Sequence, residues 1–466
     1  MTVLKPWALV LVCGCQPASV TLSPGETTDS TGTDTRPTAT EAQVTEVTAR
    51  IHENMGSIVV VTWEQGMPAD TWVEYSFDEG LWLKSPTTDT PEGSQEAWLL
   101  GVPFGTEVTY RVANDFGAGA LLDVEAAITT DDLPTEAPDA VVTVADDSGY
   151  DTGTPWVLTS TAGDGSDWHA WVFIIDRQGR TVWARETQGQ FWTMHVQPSH
   201  DQTRILIDFN SFWATFDGGV ASRVDAFSID GERTDVWETP RLHHAFTQLA
   251  DGSMAWGSAT NGFRGDETIE ILDPAGNTQT LWSCWEWLSS IGQPTGECGS
   301  NTLRWDALTD TFLFSIYSLD TVIEVDATTG GTERWFGHVP GAWGFDPPDS
   351  AFYWQHGGHF TETGTLLTSS EYPAGSETVV REYELDVANE QLVEVWSFGV
   401  GEGVYGATMG EAHRLANGNT LHNYGSATRL REVTPTGEVV WDVSWPSVTE
   451  EIGRSTPLTD LYAFLP

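Results

Sequence analysis

The chain has 466 residues, 39% hydrophobic and 11% aromatic, enough apolar material for packed cores and against global disorder. Its 68 acidic residues outnumber 20 Lys and Arg, a formal charge of -48 that repels phosphate backbones and anionic headgroups and argues against a nucleic-acid role. Gly (46) and Trp (23) are abundant and no long amphipathic helical run stands out, so the expected class is all-β.

Met1 to Gly14 place one cation, Lys5, before an apolar stretch too short to span a bilayer, which reads as a targeting segment. It ends in Val12-Cys13-Gly14-Cys15, which resembles a bacterial lipobox with Cys15 the lipidated residue. Gln16 after that Cys implies sorting to the outer membrane; the alternative is an ordinary secretory signal cleaved nearby. Residues 16–40 are rich in Ser, Thr, Pro and Gly and form a flexible tether. Residues 41–131 alternate as short strands with turns, which suits a small β-sandwich. Trp63 and the stretch Leu100 to Val112 resemble a fibronectin type III module, implying a role in spacing or presentation. Residues 132–140 (DLPTEAPDA) make an acidic, Pro-containing linker to a repeat domain over 141–466.

Six times in that domain an alternating apolar run meets a turn rich in Asp, Gly or Asn and then a Trp. The copies end at Trp183, Trp237, Trp282, Trp335, Trp396 and Trp441. Each is a β-hairpin, and a repeat of about 40–50 residues built of short strands is the pattern of a propeller blade. The spacing predicts a six-bladed β-propeller, with PWVLTS (155–160) and STPLTDLYAF (455–464) as partners in its closing blade. Cys284 and Cys298 share one loop and are expected to form a disulfide; the other reading, a reactive thiol pair, lacks CxxC spacing. Two Cys alone cannot hold zinc.

A second motif precedes the hairpins: inner strand, turn, apolar strand. His244 lies eight residues before Gly252, and His356 eight before Gly364. Equal phase in different blades turns both toward the central channel, although a single strand histidine is more often structural. His243 neighbours His244, so only one of the two can face the channel. His413 lies five residues before Gly418, the phase of His359 before Gly364, and on a regular strand misses the channel. A catalytic metal is not expected. Nucleophile-elbow, Walker and dinucleotide glycine patterns are absent.

The six-fold phrase, Trp354-Gln355-His356, His243-His244 before a turn, His413-Arg414-Leu415-Ala416-Asn417-Gly418-Asn419 and GRSTPLTDLY (453–462) together resemble the arylsulfotransferase family of β-propellers. The resemblance covers about 150–466. It implies a nucleotide-independent enzyme that moves a sulfuryl group from a phenolic sulfate ester to a phenol through a sulfated histidine, without cofactor. It implies His356, His244 and His413 as the catalytic set; the nucleophile falls in the last blade, where His413 is taken first and His422 is the alternative, neither matching the family pattern cleanly. Gln355, Asn301, Tyr317, Arg304 and Arg414 would contact substrate. The chain departs from the family at Gly299-Ser300-Asn301-Thr302, where a His is usual, at Ser315-Ile316-Tyr317, where an Arg is usual, and in SSEYPAG (369–375), which has no Arg. The competing reading is a non-catalytic surface propeller that binds an aromatic, glycan or protein ligand. The two readings part on geometry: a transferase needs histidine nitrogens and an Arg, from Arg304, Arg381 or Arg414, converging in the channel.

Overall fold

The computed structural model describes residues 41–466, apart from 163–169, 188, 190, 216, 217 and 373–375. The leader, Cys15 and the tether lie outside the described residues. Between 141 and 466 stand six sheets of four or five strands, taken in sequence order and antiparallel except for the edge strand Gly344–Asp346, which pairs parallel with Gln391–Phe398; this all-β arrangement is consistent with a β-propeller. Their inner strands are Thr456–Leu458, Val196–Pro198, Leu242–Gln248, Ser300–Asp306, Tyr353–Phe360 and Glu411–Arg414. The first sheet draws on both ends of this region: Trp156–Ser160 pairs antiparallel with Thr456–Leu458. Val141–Ala145 adds a fifth strand to the outer edge of the sixth sheet, against Val439–Ser444.

The repeated Trp has a physical reason. Trp183 donates its indole N–H to the carbonyl of Ile229 at 2.6 Å, in the hairpin turn of the next sheet. Trp282 reaches Thr332, and Trp396 reaches Pro435, each again in the following sheet. Trp441 of the sixth sheet donates to the Arg177 carbonyl of the first at 2.7 Å, so the same contact joins the last sheet to the first. Each of these rings fills space between neighbouring sheets while its one donor finds a carbonyl or hydroxyl oxygen there.

Residues 44–129 form two antiparallel sheets packed on Val59, Val61, Trp63, Val73, Tyr75, Val108 and Val112. The outer surface of this unit shares a core with the first sheet of the repeat region: Met55, Ile58, Val60 and Leu100 pack with Leu158, Ile174 and Trp183. Asp78 receives two N–H donors from Arg180, at 2.7 and 2.9 Å. Tyr462, just past the last strand, meets the Tyr75 hydroxyl at 3.3 Å. Cys284 and Cys298 are joined by a disulfide that anchors the helix Cys284–Ser290. No helix among the described residues is long and apolar enough to cross a membrane.

Candidate functional site

Two inner strands and the segments that connect the strands enclose a cavity of about 480 Å³: His244, Trp354 and His356 come from the strands, and Trp192, Trp213, Phe263, Arg264, Tyr317, Glu450 and Glu451 from the connections. His244 and His356 both line this space. His243 turns into the packing instead, 2.8 Å from the buried Glu267 and stacked on Trp213.

His356 sits on an irregular strand. Tyr353–Phe360 slips register on both sides of His356, with Trp354 at φ 49 and Gly357 at φ 66. A Cβ at Gly357 would stand 2.5 Å from the Glu411 Cβ, so only glycine lets the two inner strands approach here. Nδ1 of His356 lies 3.0 Å from the Trp354 carbonyl. A carbonyl only accepts, so Nδ1 carries the proton and Nε2 keeps its lone pair. Burial, aided by the charge of Arg454, pushes the His356 pKa down to about 3 and keeps the ring neutral. His244 is also held well below the usual histidine range, by burial and then by His243, Arg454 and His356. The Tyr317 ring lies parallel to His356 at 6.3 Å and edge-on to Trp354 at 4.8 Å. Arg264 rests against the faces of Phe263, Tyr317 and Trp354 at 5.2–5.8 Å.

Next to His356 and Gly357 lies a buried ionic cluster centred on Glu411. Glu411, 1% exposed, accepts from Arg304 at 2.6 Å, from Arg454 at 3.4 Å and from the Ser455 backbone N–H at 2.6 Å. Burial opposes the charge, but His413, 3.6 Å away, and then Arg304 and Arg454 hold its carboxyl well below the usual range.

The predicted residues therefore divide. His356, His244 and Tyr317 share the aromatic cavity. His413 does not: its ring lies 5.9 Å from His359, in a second cavity of about 790 Å³ that also contains Arg414, Glu382 and Trp396. The odd five-residue offset shared by His413 and His359 puts them together, away from His356. Arg414 is tied to Glu382 and to the Gly418 carbonyl, Arg304 to Glu411, and Arg381 to Glu394. None of the three lines the aromatic cavity. Gln355 is fully buried and points into the sheet, donating to Ser315 Oγ and the Thr321 carbonyl. Asn301 is likewise buried, its Nδ2 donating 2.7 Å to the Gln355 carbonyl. Both use their amide N–H groups on neighbouring protein atoms, while Gln355 Oε1 stays buried without a hydrogen-bond partner among the described residues. The guanidinium groups that do stand near His356 are Arg264 and Arg454, which histidine phase alone does not find. The GRSTPLTDLY segment carried the second of them in plain view.

Among the described residues no three His, Cys, Asp or Glu side chains stand close enough to hold a metal. No family model and no curated protein matches the chain. Solved structures share its general form at low identity. A putative 6-phosphogluconolactonase from Bacteroides fragilis has 11% identity over 84% of this chain and 98% of its own, with a TM-score of 0.40. The periplasmic gluconolactonase of Pseudomonas aeruginosa has 13% identity over 74% and 94%, with a TM-score of 0.40. An inactive virginiamycin B lyase from Staphylococcus aureus has 10% identity over 69% and 100%, with a TM-score of 0.39. Likeness of this degree carries no activity across to the chain.

Proposed function

We propose that the six sheets are the blades of a six-bladed propeller presented from a lipid anchor at Cys15 by a fibronectin III-like module. Its aromatic cavity, in this reading, moves a sulfuryl group from a phenolic sulfate ester to a phenol. The observation that carries the reading is the His356 tautomer, Nε2 unprotonated beside stacked Tyr317 in an aromatic cavity. The Nε2 lone pair attacks sulfur while the S–O bond breaks and its electron pair leaves on the phenolate. The positive charge gained by the ring is stabilised at Nδ1–H by the Trp354 carbonyl. The acceptor oxygen then attacks sulfur, the N–S pair returns to Nε2, and the acceptor's proton ends on the first phenolate. His244, neutral and opposite, is the group placed to relay it. Arg264, on the cavity wall and 3.2 Å from Glu297, is the cation available to the sulfuryl oxygens, and the Trp and Tyr rings hold the aryl group. This reading moves the nucleophile from His413 to His356.

A second reading, an aromatic-binding propeller without chemistry, is favoured by one feature: Arg304 and Arg454 both engage Glu411, while Glu450 and Glu451 line the cavity. The deciding experiment is nitrophenol release from 4-nitrophenyl sulfate with a phenol acceptor, for wild type, His356→Ala and His413→Ala. Acceptor-dependent release abolished by His356→Ala and kept by His413→Ala is expected. No release from folded wild type across several donors refutes transfer and leaves the binding reading.

A further inference from the structure

The peptide groups on either side of His356 are held by side chains from the neighbouring inner strand. Asn301 Nδ2 donates to the Gln355 carbonyl at 2.7 Å, and the Gly357 N–H donates to Thr302 Oγ1 at 2.9 Å. Asn301 and Thr302 are in turn gripped by one residue. Arg454 donates to the Asn301 carbonyl and, at 3.0 Å, to Thr302 Oγ1. The Thr302 hydroxyl is thereby saturated: it accepts from Gly357 and Arg454 and donates to Asn301 Oδ1 at 3.2 Å. Arg454 is itself immobile. Its side chain is 1% exposed, its backbone N–H donates to Met194 at 2.9 Å, and its carbonyl accepts from Thr159.

We infer that Arg454 is the positioning residue for His356, acting through the Asn301-Thr302 pair to fix the bulge that aims Nε2 into the aromatic cavity. The role deepens the proposed site and rests on His356 being its reactive group, while the geometry itself needs no substrate. A planar guanidinium suits the task because it reaches a carbonyl, a hydroxyl and the Glu411 carboxylate at once, which a lysine cannot. Its charge works in the same direction, opposing protonation of both His356 and His244. The other charged or titratable groups around this cavity are His244, Tyr317, Arg264, Glu450 and Glu451, with Glu411 neutralising part of Arg454.

The test uses the full chain labelled with 15N-histidine, comparing wild type, Arg454→Lys, Arg454→Met and Thr302→Val. The ring nitrogens of His356 report tautomer and titration directly. Wild type is expected to show a single Nδ1–H tautomer. Thr302→Val and Arg454→Lys should average the two tautomers while the His356 titration stays low. Arg454→Met should average them and also raise the titration point. With 4-nitrophenyl sulfate, kcat should fall about tenfold to hundredfold in all three at unchanged KM. If Arg454→Met fails to fold, Thr302→Val and Arg454→Lys carry the same test. A single wild-type tautomer in folded Thr302→Val and Arg454→Lys overturns the inference. Averaged tautomers in a protein that transfers no sulfuryl group leave the positioning role standing and remove only the sulfotransferase reading.

Discussion

Asp208 offers a prediction whose sign and size both follow from its surroundings. It lies fully buried on Ile205–Phe209, where Oδ1 accepts the His195 backbone N–H at 2.9 Å and Oδ2 has no hydrogen-bond partner among the described residues. Burial pushes its carboxyl up to about 8, with Arg454 and backbone donors offsetting part of the effect. The folded chain therefore keeps a proton that the unfolded chain releases near 3.8. A raised carboxyl inverts the usual acid response: this contribution is fully present below the unfolded value and is lost as pH rises through about 8. At about 1.4 kcal/mol per pH unit, the loss is about 4 kcal/mol between roughly pH 5 and pH 8. Asp208→Asn keeps the Oδ1 acceptor and has no proton to lose. Urea unfolding followed by Trp fluorescence at the two pH values should show the variant gaining about 4 kcal/mol on wild type over that interval. The buried neutral histidines contribute equally to both proteins and cancel. A difference between variant and wild type that is the same at both pH values refutes the reasoning.

Two further outcomes are expected. Trp441→Ala removes a fully buried ring and its bond to the Arg177 carbonyl at the closing seam, and should cost about 3–5 kcal/mol, read as a lowered urea midpoint. Gly357→Ala combines φ 66 with a Cβ 2.5 Å from Glu411, and should cost well beyond the roughly 1 kcal/mol of a left-handed alanine. Gly252→Ala, at φ 88 with open space around its Cβ, is the control that should pay the backbone term alone. Equal losses for the two alanines would show that close strand approach at Gly357 is not what demands glycine.

Much of this architecture can be read from local pattern. Each Trp-ended phrase is a hairpin because its alternation and its turn residues agree over a dozen positions, and the closing partners at 155–160 and 455–464 do pair. His244 and His356 do line one cavity, yet no unbroken two-residue period carries them there: register slips between Leu242 and Phe246 and on both sides of His356. What pattern does not reach is anything set by departure from period. The register slips around His356 are invisible in the letters YWQHGGH, although the paired glycines mark a place where backbone comes close. Gln355 is expected at the substrate only because Gln355-His356 resembles a family motif; its amide N–H groups instead reach Ser315 and the Thr321 carbonyl. The arginines were misjudged for another reason. With 68 acidic residues in the chain, every Arg has candidate partners, and only coordinates say that Arg304 and Arg414 already have theirs. Arg454 meets Thr302 across the axis, from the far end of the chain, a separation no local motif records.

The first sheet, built from Trp156–Thr187 and completed by Thr456–Leu458, also imposes an order in time. During synthesis its first three strands emerge early, but the side of Trp156–Ser160 that faces the axis stays unpaired until the last strand leaves the ribosome. An uncovered edge is a template for pairing with the wrong chain. For most of its translation the nascent protein therefore carries one adhesive border. The residues that finally cover it follow directly after Arg454, so sealing the ring and aiming His356 belong to the same late event.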